Sequence, residues 1–239
     1  MLANFDSPHA WRWTKVFVAR GHEVHAISYY PPARELPGAY LHVLRPVRDA
    51  SGSAGTTTSS AATTRLPPSV LRLLNAYRFS RAGLSRLVHE IRPDVLQAHF
   101  VVEHGLFGAL TGYHPFAVNA WGSDLFQAPR SPAGRLTARF VLKYADLVNA
   151  NDPALARAAI TLGAAPAKVT TIGLGLDREW LDAPASSVNL RPDSGPPTVI
   201  SDRALEPLYN IDVVIKAFAR ISPGLPGARL LIAGAGSQA

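Results

Sequence analysis

The amino-acid sequence predicts an α/β protein built on a doubly wound parallel sheet, followed by the first βαβ of a second domain. Strand-like and helix-like segments alternate along all 239 residues, which is typical of a parallel sheet with helices on both faces. Within 201–236, an arginine-bearing loop, an amphipathic helix and an apolar strand ending in glycines follow one another. With 47% apolar and 17% charged residues, the chain can bury a core.

The N-terminal part begins with a strand end, a helix and two further strands. These are predicted at Met1–Asn4, Ala10–Arg20, Glu23–Ser28 and Tyr40–Arg45. The tract Ala50–Thr64 contains no large apolar residue and predicts a mobile surface loop. The long helix Ser69–Ile91 is expected next, because its C-terminal half carries an apolar stripe.

Further strands and helices alternate up to a linker. Strands are predicted at Asp94–Ala98, Phe116–Ala120, Leu147–Ala150 and Lys168–Ile172, with helices at Gly105–Thr111, Pro132–Tyr144 and Pro153–Leu162. Thr198–Ser201 then opens a second unit, in which Ile211, Val214, Ile215 and Phe218 form one helix face. We therefore expect one domain over 1–174, a Pro/Ser/Gly-rich linker over 175–197, and the incomplete start of a second domain over 198–239.

Charge and composition limit the partners. The net charge of +7 favours anionic partners, such as phosphate-bearing ligands or acidic lipid head groups. Because the basic residues are scattered without interleaved aromatic residues, we expect no nucleic-acid binding. The absence of cysteine excludes disulfides and thiolate metal sites, and no Asp-x-Asp or paired-histidine spacing indicates a metal. No apolar run is long enough to span a bilayer.

Several motifs, taken in order, give the chain its likeness to a known family. They are Ser7-Pro-His9 with Arg12-Trp13, Ala19-Arg-Gly-His-Glu-Val24, Asp94-Val-Leu-Gln-Ala-His99, Ala120-Trp-Gly-Ser-Asp124, Leu162-Gly163 through Lys168-Val169, and Gly175-Leu-Asp177. Together they resemble the retaining GT-B glycosyltransferases, in the large family 4-like group that uses nucleotide sugars. The resemblance implies two Rossmann-like domains and hexose transfer from a nucleotide-diphosphate sugar to a hydroxyl group with retention, with no metal or other cofactor.

The resemblance assigns the donor side to the C-terminal part. It implies that Arg203 is catalytic, gripping the donor diphosphate and neutralising its charge as the sugar leaves. Tyr209 stands where the family usually has lysine, so it can donate a hydrogen bond but carries no charge. Gly234 and Gly236 match positions near the nucleotide. The alternatives are a local ion pair of Arg203 with Glu206, and a tight turn at the two glycines.

The acceptor side is implied to lie in the N-terminal part, at the carboxyl ends of strands. His9 lies on the first loop and Arg12 at the start of the first helix, while His99 and Trp121 each follow a strand. Trp121 stands where many relatives have histidine, and its ring face can stack on a sugar. Asp124 is expected to act in catalysis as a carboxylate. The alternatives are a turn cap at Asp124 and a hydrogen-bonded core residue at His99.

The likeness also has gaps. The family's paired glutamates would fall beyond Gly236, so we expect very weak or no transfer by these 239 residues alone. The expected partners are a nucleotide sugar and a glycan or lipid-linked acceptor, at a cytoplasmic location with possible peripheral contact at the inner membrane face. The product would belong to cell-surface glycan or glycolipid synthesis. The alternatives left open are a non-catalytic glycan- or partner-binding domain and a nucleotide-sugar epimerase.

Overall fold

The computed structural model describes residues 1–44, 82–176, 181 and 196–239. The chain divides into two compact units, Met1–Arg178 and Glu179–Ala239. The predicted loop Ala50–Thr64 lies outside the described residues, as do most of the predicted linker and the first part of the predicted helix Ser69–Ile91. The predicted domain bounds at 174 and 198 therefore stay predictions.

The first unit alternates strands and helices. Its strands are β1 (Val24–Ser28), β2 (Ala39–Val43), β3 (Leu96–His99), β4 (Phe116–Ala120), β5 (Leu147–Ala150) and β6 (Val169–Thr171). Its helices are α1 (Pro8–Ala19), α2 (described over 82–91), α3 (Leu106–Leu110), α4 (Ser123–Phe126), α5 (Pro132–Tyr144) and α6 (Pro153–Thr161). The predicted α/β fold with parallel strands is confirmed.

The strands of the first unit pair in parallel, and Leu2 joins the two groups they form. β1 pairs with β2, while β3, β4, β5 and β6 follow in that order. Leu2 makes parallel bridges to Ile27 of β1 and to Ala98 of β3, and its side chain is fully buried. The predicted strand end at Met1–Asn4 thus contributes a single bridging residue between β1 and β3.

Apolar clusters cover both faces of the sheet. The larger cluster combines alternate positions of the strands, such as Ile27, Ala98 and Val118, with buried residues of α2, α3 and α5. The smaller cluster contains Ala26, which neighbours Ile27 in β1 and therefore points to the opposite face, together with Ala10 of α1. The larger cluster therefore covers one face of the central strands and the smaller cluster covers the other face at β1, while β2 carries exposed residues such as Tyr40 and Leu41.

Local signals fix the helix starts that the sequence predicted. The side chain of Ser131 accepts from the Gly134 amide at the start of α5, with Pro132 in the first helical position. The Asp152 carboxylate accepts from the amides of Ala154 and Leu155 at the start of α6, at 2.7 and 2.9 Å. Such caps satisfy backbone donors that have no partner within the helix.

The second unit contains β7 (Thr198–Ser201), α7 (Ile211–Ile221) and β8 (Arg229–Ile232). β7 and β8 pair in parallel, so the predicted βαβ order is present. Of the predicted apolar helix face, Ile211 is buried, whereas Ile215 is 47% exposed. The two strands likewise leave apolar side chains such as Ile200 and Leu231 exposed.

Two elements differ from the sequence-based expectation. A single turn of π-helix, Val101–Gly105, connects β3 to α3, in a segment for which the sequence predicted no element before the helix Gly105–Thr111. The motif Trp121–Asp124, expected as a loop, includes the start of α4. Both differences lie at the carboxyl ends of β3 and β4, where contacts between distant residues shape the backbone.

Candidate functional site

A row of polar side chains crosses the sheet at the carboxyl ends of its strands. His99 of β3 pairs in register with Asn119 of β4, which pairs with Asn149 of β5. Residues paired in register project on the same face, and all three are at most 3% exposed. The Asn119 Nδ2 atom lies 3.4 Å from His99 Nδ1. Polar residues are rarely buried side by side unless they are satisfied or functional.

The indole of Trp121 joins two of the predicted site residues into one cluster. Its ring centroid lies 5.3 Å from that of His9 and 5.2 Å from that of His99, in edge-to-face arrangements. His99 also meets Trp13 of α1 edge-to-face, at 6.0 Å. The structure therefore brings together residues from the start of α1 and from the ends of β3 and β4, and their role on the acceptor side stays a prediction.

Burial favours the neutral form of the two histidines in this cluster. It lowers the pKa of His99 from 6.5 to about 3, and the neighbouring Met1 amino group, His104 and His9 add to the fall. Burial, with the charge of Arg12, also lowers the pKa of His9. A neutral imidazole offers one donor and one acceptor, which suits the recognition of hydroxyl groups.

Arg12 lies one turn further along α1 than His9. Its Nη1 atom donates to the carbonyl oxygen of Gly175 at 3.3 Å. This contact ties the first helix to the chain segment that follows β6. The predicted role of Arg12 in binding an acceptor stays a prediction.

Asp124 is fully buried and is surrounded by backbone amides. Its carboxylate accepts from the amides of Val101, Trp121 and Gly122, at distances between 2.8 and 3.3 Å. Burial raises its pKa, while hydrogen bonds from these amides oppose the rise. The predicted catalytic role of Asp124 stays a prediction, and the geometry shows a carboxylate whose two oxygens are both occupied.

Sequence reasoning missed the asparagines of this edge. Among the described residues, buried side-chain atoms without a hydrogen-bond partner include Trp121 Nε1, His104 Nδ1, Asn149 Oδ1 and Asn151 Nδ2. The sequence does carry a signal, since Val-Asn-Ala occurs at the end of both β4 and β5. A polar residue repeated at the same place in two apolar strands predicts a shared polar edge.

In the second unit, the predicted donor-side residues lie in two facing loops. The guanidinium carbon of Arg203 lies 4.2 Å from the centroid of the Tyr209 ring, a cation–π contact. The Glu206 carboxylate accepts from the amide and the hydroxyl group of Ser237, at 2.9 and 2.6 Å. Arg203 therefore stacks on Tyr209, while Glu206 connects the two loops.

Gly234 and Gly236 lie where the backbones of these two loops pack against each other. A Cβ atom on Gly234 would lie 2.3 Å from the carbonyl oxygen of Arg203, and one on Gly236 would lie 2.2 Å from that of Leu205. The Leu205 amide donates to the Ala235 carbonyl oxygen at 2.9 Å. Glycine is therefore required here by backbone packing, whether or not a ligand binds.

Within the described ranges, no group of three His, Cys, Asp or Glu side chains is arranged to hold a metal ion. The same ranges include no helix that is both long and apolar enough to cross a membrane. The expectations of metal-independent chemistry and of a cytoplasmic or peripheral location stay predictions.

Comparison with solved structures shows the fold. HepE from Anabaena in complex with UDP is 16% identical, with a TM-score of 0.61 over 99% of this chain and 69% of that one. Its complex with UDP-glucose gives 17% identity and a TM-score of 0.65, over 98% of this chain and 60% of that one. The lipopolysaccharide outer core galactosyltransferase WaaB in its apo form is 12% identical, with a TM-score of 0.57 over 99% of this chain and 61% of that one.

These neighbours are GT-B glycosyltransferases, so the fold is the Rossmann-like α/β fold of that class. The chain spans between 60% and 69% of their lengths. No curated protein sequence matches the chain. The family model described as glycosyl transferase 4-like matches residues 1–152, and these include His9, His99, Trp121 and Asp124. Because that match covers more than half of the 239 residues, the chain belongs to the glycosyl transferase 4-like family.

Proposed function

We propose that this glycosyltransferase moves a hexose from a nucleotide-diphosphate sugar to a hydroxyl group of a glycan or lipid-linked acceptor, with retention of anomeric configuration. The observation that carries the proposal is the cluster of His9, His99 and Trp121 at the carboxyl ends of β3 and β4. Open α/β sheets bind ligands at this edge. The family membership of residues 1–152 makes a sugar the expected ligand.

The chemistry of the cluster suits a neutral sugar. An indole and two neutral imidazoles present ring surface to the C–H groups of a pyranose, and ring nitrogens to its hydroxyl groups. The Trp121 Nε1 atom is buried and has no hydrogen-bond partner among the described residues, and we propose that an oxygen atom of such a ligand accepts from it. His9, His99 and Trp121 are thus proposed as the acceptor-side contacts, with Arg12 beside them.

On the donor side, Arg203 is proposed to bind the diphosphate and to stabilise its charge as the sugar leaves. An arginine fork binds phosphate oxygens more specifically than a single ammonium group does. Tyr209 supports the guanidinium by stacking at 4.2 Å. The HepE structures with UDP and with UDP-glucose support a uridine nucleotide as the first donor to test. No metal ion or other cofactor is part of this proposal.

The donor side is tested by calorimetric titration of the 239-residue chain with UDP, UDP-glucose and GDP-mannose. Arg203→Ala is compared with Arg220→Ala, which removes the same charge from the exposed last turn of α7. We expect the Arg203 variant to lose about 10- to 100-fold in affinity, because a charged hydrogen bond contributes about 1.5–3 kcal/mol. Equal affinities of the two variants would contradict the assignment of Arg203.

Transfer is tested with ¹³C-glucose-labelled UDP-glucose and glucoside acceptors, with the product followed by NMR. A product with the donor's anomeric configuration supports retention, and the opposite configuration overturns it. Formation of an epimerised nucleotide sugar without an acceptor would favour the epimerase alternative. A role in cell-surface glycan or glycolipid synthesis, at the inner membrane face, follows only if a lipid-linked acceptor is used.

A non-catalytic glycan-binding domain is the second candidate function. The uncharged character of the Trp121 cluster favours it, since neutral aromatic and imidazole groups bind a glycan without contributing to transfer. Binding of a glycan without binding of any nucleotide sugar in the same titrations would support this alternative over the transferase.

A further inference from the structure

The carboxylate of Asp124 connects two loops that leave neighbouring strands. Its Oδ2 atom accepts from the Val101 amide at 2.9 Å, and Val101 follows β3. Its Oδ1 atom accepts from the Gly122 amide at 2.8 Å, and the Trp121 amide lies 3.1 Å from Oδ1 and 3.3 Å from Oδ2. Three amides from two loops thus converge on one buried side chain.

Both loops depart from regular backbone where Asp124 holds them. Phe100, directly before Val101, has a φ of +76°, which is unusual for a residue other than glycine. Gly122 has a φ of +131°. The π-helical turn Val101–Gly105 begins at Val101, whose amide donates to the Asp124 carboxylate. Conformations of this kind persist only where surrounding contacts determine them, and the Asp124 carboxylate supplies such contacts to both loops.

This arrangement prevents the carboxylate from meeting a ligand in this conformation. Three amides occupy both oxygens of Asp124: each oxygen accepts from two of them, and the Trp121 amide is shared between the oxygens. A general acid or base must reach the proton that it transfers, directly or through one water. The ring of Trp121, whose own amide is held by Asp124, is the group that meets His9 and His99.

We propose that Asp124 is a positioning residue. Its hydrogen bonds from the amides of Val101, Trp121 and Gly122 hold the Trp121 indole in contact with His9 and His99. The binding of a sugar by the positioned indole rests on the proposed function above. The hydrogen bonds of Asp124 do not depend on that function, because they are contacts within the chain.

The proposal makes a sharp distinction between Asp and Asn at this position. Asparagine has the same shape, but it has a single acceptor oxygen and an NH₂ group that only donates. In Asp124→Asn, the NH₂ group would face the amides of either Val101 or Gly122, with the Trp121 amide beside it. In one orientation the Val101 loop loses its acceptor, and in the other the Trp121–Gly122 loop keeps only the longer Trp121 contact, although the side-chain volume is unchanged.

Asp146 offers a matched control at the opposite ends of the strands. Its Oδ2 atom accepts from the Phe116 amide at 2.7 Å and lies 2.6 Å from His114 Nδ1. Asp146→Asn therefore makes the same chemical change to a carboxylate that accepts a backbone amide between strands, away from Trp121. Because the Asp146 side chain is 44% exposed, this variant controls for the chemical change and not for burial, and a displaced indole should appear only in Asp124→Asn.

The experiment is ¹H–¹⁵N NMR of the indole N–H groups of the four tryptophans in the full chain. Trp121→Phe identifies the Trp121 signal. We expect Asp124→Asn to shift or broaden that signal, and Asp146→Asn to leave it in place. An unchanged Trp121 signal in a folded Asp124→Asn protein would overturn the proposal.

A second measurement covers the case in which Asp124→Asn does not fold. Hydrogen exchange of the wild-type chain should show the amides of Val101, Trp121 and Gly122 protected as strongly as the strand amides of β4. If these three amides exchanged at the rate of exposed loop amides, the proposed hydrogen bonds to Asp124 would be refuted.

Titration with methyl α-D-glucopyranoside then separates this proposal from the proposed function. A shift of the Trp121 indole signal that weakens in Asp124→Asn supports both. Absence of any sugar-induced shift in the wild-type chain counts against the sugar site alone, because the comparison of the variants needs no ligand.

Discussion

The buried imidazole of His99 predicts a specific loss of stability in mild acid. His99 is 1% exposed, and burial lowers its pKa from 6.5 to about 3. In the folded protein the ring is therefore neutral between these two values, whereas in the unfolded chain it binds a proton below pH 6.5. Because the unfolded state binds more protons, this contribution to stability is lost as the pH falls from 6.5 towards 3.

The size of the effect follows from the shift. Each pKa unit corresponds to about 1.36 kcal/mol, and pH 5 lies about 1.5 units below the unfolded value of 6.5. The shifted pKa of His99 should therefore lower the free energy of unfolding by about 2 kcal/mol between pH 7.5 and pH 5. The ring is almost fully buried, so solvent screening reduces this figure little.

The assay is urea unfolding of the wild-type chain and of His99→Gln at pH 7.5, 6.5, 5.5 and 5.0, followed by tryptophan fluorescence. The variant's own stability does not matter, because only its dependence on pH is compared. We expect the wild-type protein to lose about 2 kcal/mol more than the variant over this range. Parallel pH dependence of the two proteins would refute the assignment of a neutral, buried imidazole.

Three further substitutions test other contacts. Gly236→Ala should destabilise the second unit by about 1–3 kcal/mol, because its Cβ would lie 2.2 Å from the Leu205 carbonyl oxygen. Gly224→Ala, where no atom lies within 4 Å of the added Cβ, is the matched control in thermal melts. Asp152→Ala should cost about 1 kcal/mol in the same melts through loss of the α6 cap, and an unchanged midpoint would contradict the cap's contribution.

Elements whose signals are local in sequence could be predicted closely. α5 and α6 begin where a Ser-Pro and an Asp-Pro pair place an N-cap before the first helical residue. β4 and β5 are apolar runs with predicted bounds that agree with those observed. These elements depend on neighbours in the chain, so the sequence contains the information directly.

The geometry of the candidate site could be predicted only in part. His9, His99 and Trp121 were expected on one side of a ligand site, and their ring contacts bring them together. The environment of Asp124 was not predictable, because its amide partner Val101 lies 23 positions away, in a turn of π-helix that no local pattern indicates. The expected alternative, a turn cap, accounts for the contact of Asp124 with the Gly122 amide, but it does not account for the contact with Val101 in the other loop.

The row of polar residues at the carboxyl ends of the strands is costly for the fold alone. A buried polar group without a partner costs about 1–3 kcal/mol, and Asn149 Oδ1 and Trp121 Nε1 are both such groups. Apolar residues fill the corresponding space on the other face of the sheet, as Ala98 and Val118 do. A hydroxyl group can donate to Asn149 Oδ1 or accept from Trp121 Nε1, as an ordered water molecule also can. A ligand that supplies hydroxyl groups at this edge would therefore recover part of that cost.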